Sequence, residues 1–270
     1  MKKTVYAVLI GVLTGVSCIA GAFLRQYQLA RCMDEAGLLA RGSSMGYVLA
    51  AFVAVVLGLL AILCSRLNRL PGTERCFSPA AGYLVPTAVG AGAMLLGCAL
   101  GLFSEELPGL YLAGAVAAIL LLVAAFLRYF GKNVNFLLLL LPSLFLVVKL
   151  FLDFKGWSYD PAVIDFCFLL LASICTLLSV VNLTAFCFGV GKRRATVFWC
   201  MAAGIFTAMT LPDFLHAGSA RMGELLIYGG LGVWCVSSGL QLLRGCVQNE
   251  QPAPEPETPP EEAPDGDGEQ

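Results

Sequence analysis

Eight stretches of almost uninterrupted apolar residues run along the chain, separated by short polar segments. They extend approximately from Thr4 to Leu24, Met45 to Cys64, Tyr83 to Phe103, Gly109 to Leu127, Phe136 to Phe154, Ala162 to Cys187, Ala195 to Leu211 and Leu225 to Leu243. A helix rises 1.5 Å per residue, so about 20 apolar residues span a hydrocarbon core about 30 Å thick. Each stretch is therefore expected to be a transmembrane helix, and the chain an all-α polytopic bundle of about eight spans. The sixth is long enough to tilt or project from the bilayer. The seventh is the shortest and is expected to stop at Pro212, where proline removes a helical donor.

Composition agrees with this pattern. Apolar residues make up 59% of the 270, charged residues only 13%, and mean hydropathy is +0.82. These values exclude a soluble enzyme, a basic nucleic-acid binder and a secreted disulfide scaffold. The formal charge of −1 conceals a strong asymmetry, because eight of the eighteen acids lie in the last 22 residues. That segment, 249–270, also holds six prolines and nothing to bury, so it is expected to be a disordered acidic tail following a membrane domain over 1–248.

Lys and Arg in short connections are retained on the cytoplasmic side. An inside N-terminus puts Lys2, Lys3, Arg66, Arg69, Arg75, Arg128, Lys132, Lys192, Arg193, Arg194 and Arg244 in the cytoplasm. The outer face then receives Arg25, Arg31, Arg41, Lys155 and Arg221, with Lys149 inside a span. Both termini are thus expected in the cytoplasm. The first outer loop, with its three arginines, fits least well. Of the acids preceding the tail, only Glu74 falls inside; Asp34, Glu35, Glu105, Glu106, Asp153, Asp160, Asp165, Asp213 and Glu224 fall outside. They either solvate the outer loops or form an acidic vestibule that attracts cations.

The first span follows Met1-Lys2-Lys3 as a signal peptide would, but its apolar run is too long for a usual signal core, and it is read as an uncleaved span. Cys18 lacks a large aliphatic residue three positions earlier, which argues against lipidation. Most of the eleven cysteines lie in or at the ends of spans, no C-x-x-C pair occurs, and His216 is the single histidine. Neither a disulfide framework nor a metal site is expected, and no cofactor. There is no H-E-x-x-H, no Walker A motif and no pair of intramembrane acids, which lowers an enzymatic reading without excluding one.

Ionisable groups at membrane depth are the default functional candidates. Lys149 is the clearest. Asp153 lies one turn later on the same face and Asp165 begins the next span, so Lys149 either pairs with one of them or snorkels to the headgroups. Pro86, Pro142 and Pro212 interrupt three spans, as in many transporter sites. Asn182 and Thr184 are expected to hydrogen-bond between helices. Gly11-xxx-Gly15 and Gly97-xxx-Gly101 allow close backbone approach within the bundle. A four-plus-four parallel duplication is compatible with Phe23-Leu24-Arg25 and Phe151-Leu152-Asp153, and with Arg66 and Arg194, each pair offset by 128. Topology alone forces much of that likeness.

The stretches Cys32-Met33-Asp34-Glu35-Ala36-Gly37-Leu38 and Gly189-Val190-Gly191-Lys192-Arg193-Arg194-Ala195-Thr196 resemble passages in uncharacterised multi-pass membrane proteins of anaerobic, clostridia-like bacteria. The resemblance implies a bacterial cytoplasmic membrane and no particular activity. Two functions follow as expectations. One is a non-enzymatic membrane component (a scaffold, sensor or accessory subunit), partnered by the lipid bilayer and by another membrane protein or a second copy, not by nucleic acid. The other is a small-molecule or cation transporter using Lys149, Asp153 and Asp165 near its outer entrance.

Overall fold

The computed structural model describes residues 2–33, 44–67, 71–77, 80–103, 108–157, 167–216 and 221–248. Asp165 and the acidic tail 249–270 lie outside the described residues. Within them are eight helices: α1 (Lys2–Arg31), α2 (Met45–Ser65), α3 (Ala81–Leu102), α4 (Pro108–Tyr129), α5 (Leu137–Trp157), α6 (Cys167–Cys187), α7 (Arg193–His216) and α8 (Met222–Gln248). All eight are long and apolar enough to cross a membrane. The chain is a multi-pass, all-α membrane protein, as the apolar runs require.

α7 and α8 are the most buried helices and α1 and α2 the most peripheral. Along α1, Val8, Val12, Val16, Ile19 and Phe23 are exposed on one face. Their spacing of three and four residues makes a continuous stripe suited to lipid. α7 packs against α1, α6 and α8, and α8 in turn against α3. α3 and α8 are the most extensively packed pair. Exchanging the two halves of the chain would turn it into α7 with α4, which is not among the principal contacts. The contact between the two halves is therefore not symmetric.

Glycines set the α3–α8 contact. A Cβ on Gly90 would lie 2.6 Å from the Gly230 carbonyl oxygen, and one on Gly97 would lie 2.6 Å from that of Gly223. Gly90 and Gly97 are seven residues apart, as are Gly223 and Gly230, and the pairs run in opposite order. Two antiparallel backbones therefore touch twice, two turns apart. In lipid, where apolar side chains gain little by meeting one another, such close van der Waals contact is a main source of helix association. Gly97 thus has the packing role expected of it, and Gly101 lies against the ring of Tyr111. A Cβ on Gly15 would touch nothing within 4 Å and one on Gly11 would make only ordinary contact, so that motif contributes no close approach.

The prolines do not end helices. Pro86, Pro142 and Pro212 lie within α3, α5 and α7. At two of them the following hydroxyl residue donates back into its own helix: Thr87 Oγ1 to the Tyr83 carbonyl at 2.5 Å and Ser143 Oγ to the Leu139 carbonyl at 2.8 Å. Asn182 and Thr184 likewise donate within α6, to the carbonyls of Leu178 and Val180, and not between helices as expected; the local carbonyl is the nearer acceptor.

Several helices outrun their apolar stretches. α1 continues past Leu24 to Arg31, and α7 past Leu211 to His216. At the end where α1 begins, called the near end, the two-residue strands β1 (Pro71–Gly72) and β2 (Gly191–Lys192) pair antiparallel, tying the α2–α3 and α6–α7 connections together. The ring of Phe186 packs against both Gly72 and Gly191.

Candidate functional site

Among the described residues three ion-pair clusters hold the buried charges, one at the near end and two at the opposite, far end. At the near end Glu74, in a single 3-10 turn over Glu74–Cys76, accepts two hydrogen bonds from Arg128 of α4: Nε to Oε2 at 3.0 Å and Nη2 to Oε1 at 3.1 Å. The guanidinium carbon lies 4.1 Å from the centroid of the Phe77 ring. Cys187 Sγ donates to Glu74 Oε1 at 3.4 Å. Arg193 Nη2 donates to Cys76 Sγ at 2.9 Å and Arg194 Nε to the Leu67 carbonyl at 2.7 Å. A paired fork of this kind fixes orientation as well as charge, so it locks the 3-10 turn to the ends of α4 and α6.

At the far end Arg25, only 2% exposed, is bound by Asp213 of α7. Its Nε and Nη2 each lie 2.8 Å from Asp213 Oδ1, and Nη1 donates to Gln28 Oε1 at 2.6 Å. Phe168 of α6 packs on the guanidinium, 5.4 Å from its centroid. These contacts explain why α1 and α7 outrun their apolar stretches. Arg25 and Asp213 would terminate a span if each met lipid alone; paired across the bundle, they continue it.

The third cluster contains two of the residues singled out by sequence. Lys149 is 5% exposed and its Nζ lies 2.9 Å from Asp153 Oδ2. The ammonium is buried in the bundle against Asp153. Tyr228 of α8 donates from Oη to Asp153 Oδ2 at 2.7 Å, and Ser173 of α6 reaches Tyr228 Oη at 3.3 Å. Lys149 Nζ also sits 5.1 Å from the centroid of the Tyr228 ring. That ring stacks on Phe214 at 5.7 Å and 14°, and Arg221, itself paired with Glu224, lies over Phe214 at 5.0 Å. A buried ion pair holds its geometry only when hydrogen bonds satisfy the remaining lone pairs; Tyr228 does so here.

Asp213 and Phe214 are neighbours on α7. One binds α1 through Arg25, and the other carries α8 and, through Tyr228, α5. The stretch just beyond Pro212, excluded from the span by its hydropathy, is where the two far-end clusters meet. Hydropathy also concealed Tyr228, which counts as apolar, and Glu74, which reads as a solvated loop acid. One motif was passed over in the sequence: Gly42-Ser43-Ser44-Met45-Gly46 has the form G-x-S-x-G. Ser44 is an exposed residue at the start of α2, and Gly42 and Ser43 lie outside the described residues.

Three cavities accompany these clusters. A groove of about 620 Å³ between α4 and α5 is walled by apolar residues such as Leu112, Val116 and Leu144. A cleft of about 240 Å³ lies among Cys18 of α1, Thr207 of α7 and Gly232 of α8. A slot of about 360 Å³ lies among α1, α2 and α6, with Arg25 and Gln28 on its wall. Lys149, Asp153 and Tyr228 line none of the three.

Tyr228→Phe is expected to remove the donor to Asp153 while keeping the ring stack, costing about 1–2 kcal/mol. Thermal unfolding in detergent, followed by size-exclusion chromatography with fluorescence detection, would register this as a lower midpoint. An unchanged midpoint would mean that Tyr228 does not hold the pair.

The fold and its clusters define a multi-pass membrane bundle pinned by internal ion pairs. No protein-family model, curated protein or solved structure matches the chain.

Proposed function

We propose that this chain is a non-enzymatic component of a bacterial cytoplasmic membrane, a scaffold or accessory subunit with both termini in the cytoplasm. One observation carries the reading: among the described residues Lys149, the strongest transport candidate, is buried and paired. Its charge is met by Asp153, Asp153 is met by Tyr228, and none of the three lines a described cavity. A transported cation needs a site that exchanges ligands with water. The bonds to Lys149 and Tyr228 occupy the Asp153 carboxylate with protein donors. The lysine and arginine placement supports the orientation, and the lipid-facing stripes on the peripheral helices leave broad surfaces for another membrane protein or a second copy.

Purified protein reconstituted in vesicles on a solid-supported membrane tests this directly. Concentration jumps of H⁺, Na⁺ and K⁺ are expected to give no current above that of empty vesicles. A current that disappears in Asp153→Asn, with the variant still incorporated, would overturn the proposal in favour of cation transport.

A further inference from the structure

α2 is held to the bundle through α1 and, less extensively, α7; it has no principal contact with α6. The slot of about 360 Å³ occupies that gap, within the range of about 300–1,000 Å³ typical of small-ligand sites. Its two ends differ in chemistry. At the far end stand Arg25 and Gln28, 2% and 5% exposed. From Gly46 to Ala54 the α2 wall descends eight residues, about 12 Å, and the facing wall of α6 is formed by Phe168 and Leu171. Ala50 and Ala54 are exposed, so the slot opens sideways toward lipid.

The polar end also has a defined charge. Arg25 is bound through two nitrogens by Asp213, so this end is matched to a neutral hydrogen-bond acceptor more than to a free anion. Gln28 accepts from Arg25 through Oε1, which leaves its amide nitrogen as the donating end. Gly46 is the second residue of α2, at the level where apolar sequence begins. A polar group at that boundary, with an apolar channel running from it toward mid-membrane, has the profile of a bilayer lipid.

We propose that the slot binds one acyl chain of a phospholipid, with its ester carbonyl at the Gln28 amide and its chain along α2 toward Ala54, filling the gap between α2 and α6. The inference rests on the membrane location and is independent of whether the protein scaffolds or transports.

Native mass spectrometry of the full chain, extracted in mild detergent and washed extensively, is expected to retain one phospholipid per chain. Ala54→Trp should fill the slot and reduce that retention about tenfold, whereas Ala113→Trp in the α4–α5 groove should leave it unchanged. No retained lipid in the parent, or equal retention in both variants, would overturn the proposal; equal retention identifies annular lipid only. If Ala54→Trp does not fold, the parent reconstituted with a phosphatidylcholine bearing a diazirine on its acyl chain decides. Adducts concentrated on Leu49 and Leu171 support the site, and adducts spread evenly over exposed positions such as Val55 and Val116 overturn it.

Discussion

Gly90→Leu is expected to prevent assembly of the bundle, and even Gly90→Ala to destabilise it by about 1–3 kcal/mol, the usual range for overpacking. The new Cβ would meet backbone, 2.6 Å from the Gly230 carbonyl oxygen and 2.8 Å from the Trp234 nitrogen, and backbone inside two helices has no rotamer by which to yield. α3 must therefore shift off α8, loosening the contact at Gly97 and Gly223 as well. Gly92→Ala supplies the control. A Cβ there touches nothing within 4 Å, and alanine in a helix interior is favoured over glycine by roughly 0.5–1 kcal/mol. Melting in detergent should place Gly90→Ala below the parent and Gly92→Ala at or above it. If the two variants melt together, the seam is not the principal contact that the geometry makes it.

Glu74→Ala is the second large effect. It leaves Arg128, 4% exposed, without its carboxylate while the Phe77 ring remains over it. Breaking one side of a buried pair costs about 3–5 kcal/mol. At about 2–4 °C per kcal/mol for a chain of this size, the melting midpoint should fall by roughly 6–20 °C. Replacing both partners, Glu74→Leu with Arg128→Met, removes the stranded charge along with the pair, and such double replacements are often neutral or stabilising. The double variant is expected to recover most of the loss. A double variant as unstable as Glu74→Ala would show that the 3-10 turn itself depends on the carboxylate, through Cys187 or the backbone.

Span number was legible because a membrane crossing needs only a local property, a run of about 20 apolar residues, and all eight runs became helices. Helix ends were less legible because they depend on partners far away in sequence. Asp213 looks like the close of a span until Arg25, 188 residues earlier, is set beside it. The same distance effect governs the candidate site. Lys149 and Asp153 are one helical turn apart, so spacing alone offered their pairing, beside Asp165 and the headgroups as alternatives. Tyr228 and Ser173 come from two other helices, and nothing in their own neighbourhoods marks them as polar partners. The glycine seam lay between these cases. Its sevenfold spacing is present in both helices, but only the antiparallel register joins one to the other.

That register also imposes an order of assembly. α3 ends at Leu102 and α8 begins at Met222, so roughly 120 residues must be synthesised between them. At about 5–20 residues per second, the glycine face of α3 waits between about 6 and 24 s for its mate. Throughout that interval the helix sits in the bilayer with its most adhesive surface open to any neighbouring chain.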